Sequence, residues 1–165
     1  MQIEVIVQDC FFETPSDQPI SEEMWISWFN TWLTHLQPDF SPSENYELSI
    51  RLTNDQDIKK LNHEFRHKNE PTDVLSFASL ETDYPQIEEM DEPLYLGDII
   101  ISVETAHRQA KQQNHTILTE LVWLASHGFL HLLGWDHPDE DSLKLMLQKQ
   151  MKLLEIISID IQLEI

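Results

Sequence analysis

Three histidines in the last third of the chain have the spacing of a metal site. His127 and His131 are four residues apart in a helical pattern, so their imidazoles project from the same face, one turn apart. Gly134 can adopt the left-handed conformation that ends a helix, which lets His137 return toward the other two. Core packing explains the trio poorly, because burying three imidazoles without partners costs several kcal/mol. The segment therefore predicts one ion, zinc by preference, with a fourth position left for water or substrate.

The residue after the first histidine separates this pattern from that of a protease. Metzincin proteases have the same spacing of three histidines and a glycine, but a glutamate follows their first histidine. That glutamate is the general base of peptide hydrolysis. Here Gly128 takes its place, which removes side-chain bulk beside the metal. The segment therefore predicts the metal geometry of such a site without its protease chemistry.

The charge of the chain limits the kind of nucleic-acid contact it can make. Its 165 residues include 30 Asp and Glu against 10 Lys and Arg, a formal net charge of −20. A protein that holds nucleic acid through its overall field should be basic, so any RNA contact must be local. Four of the ten cations fall within one ten-residue segment: Lys59, Lys60, Arg66 and Lys68. Composition alone favours a solvated helix face for this segment.

Length and composition indicate one globular domain over residues 1–165. The 41% hydrophobic content and five tryptophans exclude a disordered acidic tail. Cys10, the single cysteine, cannot form an internal disulfide, which fits a reducing compartment. The first residues lack a signal-peptide core, and the apolar stretch 117–135 holds too many polar groups for a membrane span. We therefore expect a cytoplasmic protein.

The elements that must position these residues alternate between strands and helices. Alternating or continuous apolar runs predict strands at 2–7, 46–52, 74–77 and 96–102. Apolar residues at helical spacing predict helices at about 21–37, 53–65, 103–113, 116–133 and 138–154. Thr53 with Gln56 resembles a capping box that opens the second helix, and Pro138 suits the first turn of the last one.

Together these elements predict an α+β fold, with a mixed four-stranded sheet packed against about five helices. The metal site lies on the fourth helix, which is apolar nearly all round and therefore buried. The acidic residues 81–94 are predicted to form a loop. The alternating tail 157–165 is either a late edge strand or an irregular terminus.

Three motifs follow one another along the chain in an order that one protein family shares. The first motif is Leu-Asn-His-Glu-Phe-Arg at 61–66 followed by Thr-Asp-Val-Leu-Ser-Phe at 72–77. The second is Leu-Gly-Asp-Ile at 96–99, and the third is His-Gly-Phe-Leu-His-Leu-Leu-Gly-Trp-Asp-His at 127–137. With these motifs, the chain resembles the YbeY family of bacterial endoribonucleases and ribosomal RNA maturation factors over about residues 45–155. Trp135 stands where the family more often has tyrosine, which is a minor exchange of one aromatic for another.

This resemblance implies a zincin-like metal site on an α+β fold. It also implies a single-strand-specific, metal-dependent endoribonuclease that acts in ribosomal RNA processing, including maturation of the small-subunit RNA 3′ end, and in ribosome quality control. By position, His127, His131 and His137 are the implied metal ligands, the first two also catalytic. The expected partners are ribosomal RNA, the ribosome and its proteins.

The resemblance also changes the interpretation of the basic segment. Arg66 corresponds to a functionally important arginine of the family, and a guanidinium can hold two phosphate oxygens at once. Lys59, Lys60 and Lys68 are candidates to extend a local RNA track, although a solvated surface remains the alternative for each.

The sequence leaves the general base open. Asp136 lies beside a predicted ligand and could instead orient an imidazole. Asp73 and Asp98 lie at strand edges and could be structural, while His63 and His67 more simply belong to a helix surface.

Two other functions compete with RNA cleavage. Proteolysis at the same metal is disfavoured by Gly128. A non-catalytic assembly factor, with a purely structural metal, would use its acidic surface to bind basic ribosomal proteins.

Overall fold

The computed structural model describes residues 1–41, 43–79 and 92–161, and its centre is a four-stranded sheet. The strands are β1 (Gln2–Asp9), β2 (Asn45–Thr53), β3 (Val74–Ala78) and β4 (Leu94–Ser102). They lie in the order β1-β2-β4-β3. β2 pairs in parallel with β1 and β4, whereas β3 pairs antiparallel with β4. The short β3 therefore forms one edge of a mixed sheet.

The helices of the described residues complete the predicted α+β fold, which is confirmed. Their bounds are α1 (Glu22–Leu36), α2 (Asp55–Arg66), α3 (Val103–Gln113), α4 (Ile117–Leu132) and α5 (Glu140–Ile156). A short 3-10 turn at Pro15–Asp17 precedes α1. Side-chain caps open all five, which satisfies amide groups that the helix itself leaves unpaired.

Consecutive residues of β4 pack into two separate hydrophobic clusters. Ile99 and Ile101 belong to the main core with α1 and α4, while Ile100 joins a small cluster with Leu75 of β3 and Ile58 of α2. Successive side chains of a strand point to opposite faces of the sheet. Consequently α4 and α2 lie on opposite faces, and the β3 edge is the place where groups from both can meet.

The main core fixes α4 between the sheet and the helices around it. Phe129 of α4 packs edge-on against Phe29 and is stacked on Trp32, both from the apolar stripe of α1. The Trp32 indole N–H donates to the carbonyl oxygen of Leu153 in α5, at 2.8 Å. Because α4 is packed on several sides, its backbone is held in place, and the side chains near its end project from fixed positions.

The tail and the acidic loop are described only in part. The chain leaves α5 through a hydrogen bond from the Ile159 N–H to the Leu154 carbonyl, and residues 157–161 form no strand. Residues 162–165 and most of the predicted loop 81–94 lie outside the described residues. Among the helices described, none combines the length and apolar composition that a membrane crossing requires.

Candidate metal centre

The three histidines singled out by their spacing lie together at the end of α4. The Nε2 atoms of His127 and His131 are 3.0 Å apart, and the two ring centroids are 4.5 Å apart. The His137 ring centroid lies 5.6 Å from that of His127 and 5.4 Å from that of His131. One nitrogen from each ring falls within 4.8 Å of the other two. The predicted convergence of the three imidazoles is therefore present.

The turn after α4 brings His137 back to the helix. Gly134 has a φ of +97°, a conformation that a residue with a Cβ atom rarely adopts. Its N–H donates to the His131 carbonyl at 3.0 Å, and the Trp135 N–H donates to the Leu130 carbonyl at 3.0 Å. These bonds close the last helical turn and reverse the chain. Asp136 accepts the His137 backbone N–H at 2.8 Å, which holds the residue on the return path.

The donor set fits a divalent transition-metal ion. Tetrahedral zinc has nitrogen ligands about 2.0–2.1 Å away, which places two such nitrogens about 3.3 Å from each other. The observed 3.0 Å between the two Nε2 atoms is close to that separation. His127 and His131 are half-buried and His137 lies nearer the surface, so an ion held by the three rings would remain open to substrate.

Electrostatics favour the neutral form of the imidazoles that metal binding needs. Burial lowers the pKa of His127, and the neighbouring His137 lowers it further, against the opposing hydrogen bond to Gln150. Burial also lowers the pKa of His131, with added repulsion from His127 and His137. Both shifts therefore favour the neutral imidazole, which is the form that binds a metal ion.

A glutamine that the sequence interpretation missed orients the first histidine. Gln150 of α5 is 1% exposed, and its Oε1 lies 3.0 Å from Nδ1 of His127. If Nδ1 carries the proton and donates to this oxygen, Nε2 is left unprotonated and faces the centre. A signal was present, since Gln150 is a polar residue one turn from Met146 and Leu154 on the buried stripe of α5.

Arg66 reaches the same cleft from the opposite face of the sheet. It is the last residue of α2, after which His67 turns the chain with a φ of +59°. One guanidinium nitrogen donates to the carbonyl oxygen of Ser76 at 2.9 Å. The guanidinium carbon lies 5.8 Å from the centre of the Phe77 ring. Arg66 therefore lies across the β3 edge.

One cleft of about 490 Å³ joins Arg66 to His127 and His131. Its lining comes from the end of α2, the segment before β3, β3 itself and the end of α4. Side chains with polar or charged groups at this surface include Asn62, Arg66, Lys68, Glu70, Ser76, His127, His131 and Asp136.

The other predicted basic residues are arranged unequally. Lys68 lines the cleft, whereas Lys59 and Lys60 do not. Lys59 lies seven residues before Arg66, and helical spacing puts both on one face of α2. Lys60 falls on a different face, which it shares with Glu64.

The acidic residues considered as bases have structural partners. Both carboxylate oxygens of Asp73 accept hydrogen bonds, one from the Val74 N–H and one from Gln109. Asp98 accepts a hydrogen bond from the hydroxyl of Tyr95.

Gly128 has a different role from the expected one. A Cβ there would lie 2.8 Å from Cγ2 of Ile99 and 3.1 Å from the hydroxyl of Ser76. The missing side chain therefore makes room for the sheet, so the expectation that Gly128 removes bulk beside the metal was wrong. The physical reason is that this helix position faces β3 and β4 of the sheet.

Comparison with known proteins identifies the family of the chain. The family model described as endoribonuclease YbeY matches residues 11–158. A protein of Nostoc sp. named endoribonuclease YbeY is 53% identical, over 98% of this chain and 93% of its own length. A protein of Trichormus variabilis with the same name is 50% identical, over 99% and 98%.

A solved structure supports the fold independently. The solution structure of a Thermotoga maritima protein superposes with a TM-score of 0.56 at 22% identity, covering 93% of this chain and 89% of the other. The match of the family model over residues 11–158 and the relatives at about half identity decide the family. This chain belongs to the endoribonuclease YbeY family.

Proposed function

We propose that this chain is a metal-dependent endoribonuclease that cleaves single-stranded RNA. Its role would be the processing of ribosomal RNA in the cytoplasm, including the small-subunit RNA 3′ end, and ribosome quality control. The observation that carries the proposal is one cleft lined by Arg66, His127 and His131, the last two belonging to a convergent histidine trio, in a chain of the endoribonuclease YbeY family. The ribosome and its proteins are the proposed partners.

His127, His131 and His137 would hold the ion, and zinc is the metal that three neutral imidazoles suit best. When bound, such an ion supplies Lewis acidity, which lowers the pKa of water toward about 7 and withdraws charge from a phosphoryl oxygen. The protein contributes the orientation of the ligands. Gln150 directs the Nε2 atom of His127 inward, and the turn at Gly134 delivers the third imidazole.

Arg66 is the proposed phosphate-binding residue. A guanidinium has five N–H donors, and the bond to Ser76 uses one nitrogen of this group. The remaining donors can hold two oxygens of a phosphodiester and stabilise the negative charge that develops as the P–O bond breaks. Arg66, His127 and His131 are therefore the proposed catalytic residues.

The lysines would bind the RNA strand on either side of this phosphate. Lys68 is in the cleft with Arg66, and Lys59 continues the same face of α2. Lys60 lies on a different face of α2, so it would contact RNA only where the strand extends past the face that carries Lys59 and Arg66. Such a short local track agrees with the net charge of −20, which disfavours broad contact with a polyanion.

The direct experiment incubates metal-loaded protein with a single-stranded RNA and compares matched variants. His131→Ala should lose both the metal and the cleavage, whereas Arg66→Ala should keep the metal and lose most of the cleavage. His35→Ala, which changes an exposed histidine of α1, should behave as the wild type. Equal residual cleavage by all four proteins would identify a contaminating nuclease and refute the proposal.

The acidic surface supports a second proposed role. A net charge of −20 suits basic ribosomal proteins better than RNA, so binding of such proteins can accompany cleavage. If Arg66→Ala retained full function in ribosome assembly without cleaving RNA, this second role would be the principal one. Proteolysis gains no support, because Gly128 stands where the protease base would be and packs against the sheet.

A further inference from the structure

A solvent-exposed phenylalanine stands next to the proposed catalytic arginine. Phe65 is 58% exposed, the second highest exposure among the large hydrophobic side chains of the described residues. Its ring contacts that of Phe77 in β3 edge-on, with centroids 5.3 Å apart and planes at 64°. Phe77 itself packs on the small cluster of Ile58, Leu75 and Ile100. The inner ring is therefore fixed, and the outer ring offers its surface to water.

This aromatic pair is continuous with the cleft through Arg66. The guanidinium carbon lies 5.8 Å from the Phe77 ring centre, and the same group donates to the Ser76 carbonyl, at the margin of the cleft. A chain of groups therefore crosses the β3 edge, from the histidines through the arginine to the phenylalanines. A polymer that placed one phosphate on Arg66 would bring its next residue over these rings.

The charge around the pair favours a polyanionic strand as the occupant. Lys59, His63 and Arg66 share one face of α2, and Lys68 follows the helix. Four of the ten cations in the chain lie within residues 59–68, although the net charge is −20. Exposed rings flanked by cations are the feature with which proteins bind single-stranded nucleic acid, since every base has a face that stacks on an aromatic ring.

We propose that Phe65, supported by Phe77, is a stacking platform for one unpaired base of the RNA whose neighbouring phosphate lies on Arg66. This inference rests on the proposed function and adds the means by which the site selects single strands. A base inside a duplex already stacks on its neighbours and cannot cover the ring, whereas an unpaired base can. The platform accordingly rejects paired RNA without reading its sequence.

The competing explanation is that Phe65 only shields Phe77 from water. Leucine at position 65 would provide nearly the same apolar cover but no aromatic face. Tyrosine would keep both the apolar cover of Phe77 and the aromatic face. These two substitutions therefore separate stacking from shielding, and thermal unfolding of each variant shows whether the fold is retained.

The experiment follows binding before cleavage can begin. Wild type and variants are mixed rapidly with a short single-stranded RNA that carries 2-aminopurine, whose fluorescence is quenched when the base stacks on an aromatic ring. Phe65→Leu should bind at least about fivefold more weakly and lose most of the quenching, the lower end of what one stacked base contributes. Phe65→Tyr should restore both. The matched control is Phe40→Leu, which changes a 42% exposed phenylalanine outside the cleft and should bind as the wild type.

Annealing the probe to its complement completes the test. The duplex should bind wild type and Phe65→Leu equally. The platform is refuted if Phe65→Leu binds and quenches the single strand as the wild type does, if Phe40→Leu loses as much affinity, or if the wild type binds no single strand.

Parallel cleavage assays keep the two proposals distinguishable. If binding depends on Phe65 but no cleavage occurs, the stacking platform is supported and the proposed nuclease activity is refuted. If the protein cleaves RNA but binding does not depend on Phe65, the nuclease activity is supported and the stacking platform is refuted.

Discussion

At the scale of single residues, the proposed centre depends on the orientation of each imidazole as much as on its position. His127 lies on a helix that is packed on several sides, but its ring can present either nitrogen to the cleft. The contact between Nδ1 and the buried Oε1 of Gln150 removes that choice. Partners that fix a ligand in this way typically change metal affinity by about 10–100-fold when they are removed.

Gln150→Leu should therefore weaken metal binding by about tenfold or more, because it leaves Nδ1 of His127 without an acceptor. Competition with a chromogenic chelator measures this affinity directly. Gln150→Glu keeps an acceptor oxygen and should retain most of it. Gln148→Leu, an equivalent change at an exposed position of α5, provides the control. Unchanged affinity in Gln150→Leu would show that α4 alone orients the ring.

At the scale of the elements, the site depends on how closely α4 approaches the β3–β4 edge. Gly128 permits this approach, since any side chain there would meet Ile99 and Ser76. The Ser76 hydroxyl also donates to the Gly128 carbonyl at 3.4 Å, which ties the helix to β3. Because Ser76 accepts the hydrogen bond from Arg66, the separation of helix and strand also sets the distance from the arginine to the histidines.

Gly128→Ala should consequently destabilise the protein by about 1 kcal/mol, although alanine in a helix ordinarily gains about that amount over glycine. The gain in helix propensity is outweighed by steric overlap, because the new Cβ would lie 2.8 Å from the branched side chain of Ile99. That side chain has few alternative rotamers with which to move away. Urea unfolding gives the free energy. The penalty should shrink in an Ile99→Ala background, as a double-mutant cycle would show. Stabilisation by Gly128→Ala in the wild-type background would contradict the close approach.

Local sequence patterns predicted some structural elements correctly and others not. The strand at 96–102 was predicted as central from its continuous apolar run, and β4 does lie between β2 and β3. The predicted capping box at Thr53 was wrong, since Asn54 caps α2 by accepting the Asp57 N–H. Either residue type can cap a helix, and the pairing of Thr53 with Ser102 that keeps it in the strand is not visible locally.

The candidate site was predictable only as far as it is local. The His127–His131 pair follows from helical periodicity, and the return of His137 follows from a glycine that permits the turn. The contact between His127 and Gln150 spans 23 residues and exists only because α5 packs on α4. Arg66 meets Ser76 only because α2 packs on the sheet beside β3. Such placements depend on topology, which spacing does not encode.

At the scale of the whole molecule, the charge distribution determines how RNA can bind. A net charge of −20 repels a polyanion at long range, and salt screens this repulsion within about 10 Å at 0.1 M. Attraction is confined to the short track around Arg66 and Lys68. Base stacking must then supply much of the affinity, since stacking involves no charge that salt can screen.

The affinity for single-stranded RNA should therefore depend only weakly on ionic strength. Two to four phosphate contacts predict a slope of about −1.4 to −2.8 for log K against log salt concentration. Lys68→Ala should make this slope shallower by about 0.7, whereas Lys111→Ala, an exposed change on α3, should leave it unaltered. Fluorescence titration over a range of salt concentrations provides the slope. A value several times steeper would indicate a broad basic surface, which the composition does not offer.

Elemental analysis of the purified protein shows directly whether His127, His131 and His137 form one metal-binding centre. The wild type should contain a single transition-metal ion for each chain. His131→Ala and His137→Ala should each lose that ion, whereas His35→Ala should retain it. A wild-type protein that is purified without metal and takes up no transition-metal ion on reconstitution would show that the three histidines do not form such a centre.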